Sequence, residues 1–261
     1  MTETLATPFD VRLMNITANG LFLVFGALLL AALAAWVANR ATFSIGAIRV
    51  TGDVTHNNAV TLRANVVPRL GGSFLTLDLA RAKQAFEAVP WVRQAIVKRE
   101  FPNRLSVVLQ EHQPVAYWGP EGDSKLLNSF GEVFEANLGE VEHEVLPRLG
   151  GPGGQEPQVL TMYRALQPRF EAMDLSLEQL ELTARGSWVA GLDTGASIEI
   201  GRGSDADIVA RTERFLKTLT QVTSRYKRKP DAVESADLRH PDGYALRLRG
   251  VSTVVVDGPK K

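Results

Sequence analysis

The sequence predicts an α+β protein: a single transmembrane helix, a small strand-helix-helix-strand-strand unit, and a mixed β-sheet domain with flanking helices. Three observations predict it. Leu13 to Asn39 carries no charge, Ile45 to His112 runs through two helical patterns and three strand patterns, and the rest alternates short strand patterns with two amphipathic helices. At 261 residues with 45% apolar content there is material for a packed core.

The apolar helix comes first. Leu21 to Ala38 is nearly all apolar, and at 1.5 Å per residue it is about 27 Å long, close to the thickness of the hydrocarbon layer. Arg12 and Arg40 bracket it, and Trp36 lies where an indole favours the headgroup layer. A cleaved secretory signal needs a basic leader and a shorter apolar run, whereas Glu3 and Asp10 precede this one. An uncleaved anchor is therefore preferred over a signal peptide, for which Ala32-Leu33-Ala34 is the available cleavage site, and over a buried core helix. Positive charge does not decide orientation, since Arg12 precedes the span and Arg40 and Arg49 follow it.

From Ile45 to Gly52 a short strand is expected, then a helix capped by Thr55, Asn57 or Asn58 that stops before Pro68. Leu70 to Phe74 reads as a loop. Asp78 caps a second helix whose Leu79, Ala82, Phe86 and Val89 share one face, up to Pro90. In the next hairpin Leu105, Val107 and Leu109 point one way, and Ser106, Gln110 and His112 the other. Ala95, Val97 and Phe101 are expected on the inner face of its first arm, and Ile96 predicts cover on both sides of that arm.

Beyond it, Leu126 to Asn128 and Val133 to Glu135 form a hairpin about Gly131, and Pro157 to Phe170 is a helix with Val159, Leu160, Tyr163, Leu166 and Phe170 inward. Leu180 to Thr183, Trp188 to Leu192 and Ser197 to Ile200 read as meander strands, the last two joined by Asp193-Thr194-Gly195. Ser204 caps a long helix with Asp205 and Asp207 at its start and the basic run Arg225 to Lys229 at its end, as the helix dipole favours. Its apolar stripe is read as Ile208, Arg211, Phe215, Leu219, Val222 and Tyr226. The final strand alternates Tyr244, Leu246 and Leu248 with Ala245, Arg247 and Arg249, so one face packs and the other carries cations.

Chemistry is poorly provided for. There are 29 basic and 29 acidic residues, so no overall field draws nucleic acid, and with no cysteine there is no disulfide or thiolate site. His143-Glu144 begins a zinc-protease pattern, but Pro147 stands where the second His belongs. His56 and His112 read as surface histidines. Ser224 and Lys227 have the Ser-x-x-Lys spacing without the companion motifs, and Gly201-Arg202-Gly203 before a helix reads as a structural turn. No catalytic residue, metal or cofactor is expected. The last strand carries the interest, because an uncovered sheet edge either accepts a partner strand or is merely guarded by its arginines.

Pro90-Trp91-Val92, the turn Lys98 to Leu105 and Glu111 to Trp118 resemble the POTRA domain of the FtsQ/DivIB family of bacterial division proteins. Later blocks around Leu126 to Phe134, Leu146 to Pro152, Trp188 to Arg202 and Asp237 to Gly243 are similar to that family's second domain. The resemblance implies a cytoplasmic tail at 1–19, a span at 20–39, a POTRA domain at 43–112, a β domain at 113–250 and a tail at 251–261, with the bulk in the periplasm at the division septum. It also implies that the last strand and its neighbours bind FtsB, which travels with FtsL, and that the POTRA domain contacts FtsK. The matching positions are Arg185, Trp188, Arg239, His240, Asp242, Gly243, Tyr244 and Arg247, with His240 where the family has tyrosine and Asp242 where it has serine. Tyr244 is then the neighbouring ring available as an aromatic anchor. The implied function is a non-enzymatic scaffold that helps control septal peptidoglycan synthesis; a POTRA protein of export or envelope assembly and a periplasmic hydrolase are the alternatives.

Overall fold

The computed structural model describes residues 9–38 and 44–251. Helix α1, Phe9–Ala38, contains the apolar run and exposes Leu21, Phe22 and Leu30. A helix apolar on every side and buried nowhere along its span suits lipid rather than a protein core. It starts at Phe9, so part of the expected tail at 1–19 is helical.

The chain divides into two compact units at Glu111 and His112. In the first, β1 (Ala47–Gly52), α2 (Ala59–Val66), α3 (Leu79–Glu87), β2 (Val92–Glu100) and β3 (Arg104–Glu111) follow in the expected order. Among the candidate caps of α2 it is Asn58 whose side chain accepts the Thr61 N–H, while Asp78 accepts from Ala80 and Arg81 at α3. The sheet order is β1-β3-β2, with β1 parallel and β2 antiparallel to β3. Leu105, Val107 and Leu109 are buried against Phe86, Val66 and Leu77 from the helical layer.

Two expectations for β2 fail. Ile96 is 48% exposed and Phe101 76% exposed, so the outer face of this sheet is open and the strand is covered on one side only. Ile96 sits directly opposite Val108, itself exposed, and this cross-strand pair supplies the apolar contact that the alternation rule had assigned to a second layer. Phe101 lies past the end of the ladder and meets the edge of Phe74 instead.

The second unit contains β4 (Pro114–Trp118), β5 (Lys125–Asn128), β6 (Val133–Glu135), β7 (Arg148–Gly150), α4 (Glu156–Glu171), β8 (Leu177–Leu182), β9 (Trp188–Leu192), β10 (Ser197–Gly201), α5 (Asp205–Arg225), β11 (Val233–Asp237) and β12 (Ala245–Leu248). They form one nine-stranded sheet in the order β12-β11-β10-β9-β8-β7-β4-β5-β6. Two adjacent parallel pairs, β7 with β8 and β10 with β11, are joined through α4 and α5. Crossovers of one hand place both helices on the same face, where Arg169 of α4 bonds Glu213 of α5 at 2.8 Å.

Between helices and sheet lie Leu149, Val159, Leu166, Phe170, Trp188, Ile198, Ile208, Phe215 and Leu219. The buried stripe of α5 includes Thr212 and Thr223, while Arg211 is half-buried and Tyr226 exposed. The threonines are admitted because each hydroxyl bonds a carbonyl one turn back, that of Ile208 or Thr220, so no polar group is left unpaired.

Candidate partner-binding edge

Strand β12 ends the sheet. It pairs on one side with β11, Leu246 facing Ala236 and Arg247 facing Ser235, and among the described residues no strand pairs with its other side. The alternation read from the sequence is present: Leu248 is buried, Tyr244 and Leu246 pack on the large core, and Arg247 stands out in solvent, held by Glu234 at 3.0 Å. That ion pair is exposed and contributes at most about 1 kcal/mol.

The loop at 238–244 connects β11 to β12. Arg239 folds back on Asp237: Oδ1 accepts the Arg239 backbone N–H at 3.0 Å and Nε at 2.8 Å, and Oδ2 accepts Nη2 at 2.6 Å. These charge-assisted bonds hold the Asp237 carboxyl down at about 2. His240, Asp242 and Gly243 are exposed at the tip. The Pro241 carbonyl accepts from Arg214 of α5 at 3.1 Å, which ties the loop to the helix.

Tyr244 is committed elsewhere. Its ring meets Phe215 edge-on with centroids 5.0 Å apart, and its hydroxyl lies 2.8 Å from that of Thr218. Both its apolar and polar ends already have partners on α5, so it is not a free aromatic anchor. Trp188 is 2% exposed and belongs to the core, so it cannot touch a partner directly.

A second feature lies at the ends of β8 to β11. A shallow cavity of about 770 Å³ is lined by Thr183, Ala184, Arg185, Ser187, Glu199, Arg202, Arg211 and Arg239. Four guanidinium groups face one carboxylate there, and Arg185 and Arg239, distant in sequence, share its wall. Arg211 donates to the carbonyls of Ile200 at 2.6 Å and Arg202 at 3.1 Å, which fixes the β10 end. Gly201 has φ of +94°, and a Cβ there would come within 2.8 Å of the Arg239 side chain. The glycine turn is therefore structural, as its sequence suggested, because it lets two arginines approach. Sequence reading assigned Arg202 to that turn and Arg211 to an apolar stripe; a lone cation among apolar stripe positions was the available signal.

The arrangement offers main-chain hydrogen bonds and positive charge. It pairs no nucleophile with a base. Ser224 and Lys227 sit at the hydrogen-bonded C-terminal turn of α5, and among the described residues no group of His, Asp or Glu could hold a metal. His56 and His112 are packed rather than on the surface: His56 stacks on Trp91 at 3.8 Å and His112 on Phe134 at 4.1 Å.

An apolar helix long enough to cross a membrane, a three-stranded β-α-α-β-β unit and a nine-stranded mixed sheet with an open edge fit a single-pass membrane protein with two folded units. Two family models match it, "POTRA domain, FtsQ-type" over residues 43–112 and "Cell division protein FtsQ/DivIB, C-terminal" over 116–239. The chain is 39% identical over 94% of its length to the cell division protein FtsQ of Thiomonas arsenitoxydans, covering 89% of that protein. It is 38% identical over 93% of its length to FtsQ of Burkholderia pseudomallei (94% covered), and 37% identical over 92% to FtsQ of Bordetella pertussis (92% covered). The chain belongs to the FtsQ/DivIB family of cell division proteins.

Proposed function

We propose that the protein is a non-enzymatic, single-pass scaffold of the inner membrane at the division septum. On this reading its two folded units lie in the periplasm, where it links FtsB and FtsL to the division machinery and helps control septal peptidoglycan synthesis. The POTRA unit is then a docking module for FtsK and other division proteins. The observation that carries the reading is β12: a strand whose far side pairs with no other strand among the described residues, in a sheet that also carries a cavity lined by Arg185, Arg202, Arg211 and Arg239. An extended partner segment adds there by strand pairing, and its carboxylates are recognised by the guanidinium groups. Trp188 supports the edge from within the core, Tyr244 ties it to α5, and Arg247 with the 239–243 loop forms its exposed rim.

The test is capture of the periplasmic FtsB segment by the full chain in nanodiscs. Arg247→Glu and Arg239→Glu should each weaken capture by at least about tenfold, since an exposed contact is reversed in sign, with the fold retained by circular dichroism. Equal capture by both variants and the parent rejects this edge. Depletion in cells should give filaments without septa; normal division rejects the scaffold role.

A further inference from the structure

The β2-β3 hairpin of the first unit ends in an open tip. Phe101 and Pro102, in the turn between the strands, are both exposed. An apolar side chain scattered singly on a surface needs no explanation, but Phe101 is not alone. Its ring meets Phe74 with centroids 5.2 Å apart, and Arg99 donates to the carbonyls of Phe74 at 2.8 Å and Leu77 at 2.5 Å, which ties the 74–77 loop to the hairpin. Leu75, in that loop, is exposed as well.

Cations stand beside the tip. The ladder registers set Arg104 between Ala47 and Glu100, and Ser106 between Arg49 and Lys98, on the outer face of the three-stranded sheet. Arg49, Lys98 and Arg104 are exposed, and Glu100 is the one carboxylate in these two rows. The next row brings Ile96 against Val108, and at the far end Arg93 reaches Gln110 at 3.0 Å. The uncovered face is therefore apolar and basic together. The Gly46 N–H donates to the Asn103 carbonyl at 2.9 Å, so the chain enters β1 at this same tip. Gly46 follows Ala38, the last residue of α1, by eight positions, and that length of chain reaches at most about 28 Å when fully extended.

We propose that the tip rests on the bilayer that α1 enters, with Phe101 in the headgroup layer and Arg49, Lys98 and Arg104 on the phosphates of anionic lipids. An aromatic ring favours headgroup depth, each cation near a negative lipid surface adds attraction, and a short tether keeps that surface at high effective concentration. Of the surfaces that accept an apolar and basic patch, the bilayer is the one that the chain itself delivers. The inference needs a membrane-spanning α1, but neither a periplasmic location nor the partner edge at β12.

The test uses the full chain in nanodiscs of phosphatidylcholine, alone or mixed with phosphatidylglycerol, each doped with a lipid whose headgroup chelates gadolinium. In the mixed discs, relaxation of the Asn103 and Arg104 amides should be strongly enhanced over that of Glu87, at the far end of α3. Lys98→Gln and Arg104→Gln should each lower the ratio of docked to undocked tip about fivefold, the factor that one cation near an anionic surface is worth. Raised salt should lower it too, since the attraction is screened. Phe101→Ser should do the same; because that ring also packs on Phe74, the two charge variants decide the case if the loop is disturbed. No enhancement at the tip over Glu87, equal enhancement with and without phosphatidylglycerol, or charge variants indistinguishable from the parent overturns the proposal. So does a tip whose signals change only when purified FtsK is added, which gives the face to a protein.

Discussion

Asp237 shows how a local feature shapes the rim of the edge. Its carboxyl is held at about 2 chiefly by the Arg239 side-chain bonds, with the backbone N–H adding to them. The folded value lies below the ordinary 3.8, so the link contributes fully above that pH and is lost as pH falls toward the folded value. Carboxyl chemical shifts of Asp237 should titrate with a midpoint near 2 in the parent and return to the ordinary carboxylate range in Arg239→Ala. A parent midpoint in the ordinary range refutes the bond. Glu111 behaves differently. Burial alone pushes its carboxyl up, but the N–H groups of His56 and Asn57 and their side chains outweigh burial and hold it below the ordinary value. With Glu111 4% exposed, that cluster locks the β1 to α2 loop onto the end of β3. None of these pairings was legible in the sequence, since each joins residues about 55 positions apart.

At the scale of the element, β12 separates two kinds of backbone contact. The Arg249 N–H donates to the Ala232 carbonyl on the β11 side, so by strand alternation Leu246 turns its N–H away from β11; Leu246→Pro then removes a donor from the free side while sparing the ladder, the one strand setting where proline is tolerated. The expected result is a folded protein that loses capture of an extended partner by at least about tenfold. Retained capture would show that side chains alone carry binding. The alternation of this strand was readable because its period is 2 and one face is buried. The long helix was harder: Thr212 and Thr223 lie inward and Arg211 only half so, because a hydroxyl bonded to its own helix costs little to bury, whereas apolarity alone guided the reading. Trp188 was taken for a contact residue through its neighbour Arg185, yet one faces the core and the other lines the cavity. Sequence adjacency placed them together; Arg185 lies in the exposed turn between β8 and β9 whereas Trp188 begins β9 on its buried face, and that parts them.

For the whole molecule, the order of elements along the chain was largely legible and the order of strands across the sheet was not. The parallel pairings of β7 with β8 and β10 with β11 depend on helices crossing over, which no local pattern reveals. The anchor is the plainest whole-chain feature. The full chain should remain in the membrane pellet after an alkaline carbonate wash, while a variant lacking Phe9–Ala38 should appear in the supernatant with unchanged sheet signal in circular dichroism. Release of the full chain by carbonate would remove the membrane-spanning reading.

Among the described residues the edge strand comes after every other strand in chain order, although it is assembled against β11 only a few residues earlier. A polypeptide broken off between Leu238 and Ala245 therefore keeps its hydrophobic anchor and most of its core but lacks the surface proposed for assembly. On the proposed reading such fragments would occupy the bilayer without capturing the partner segment.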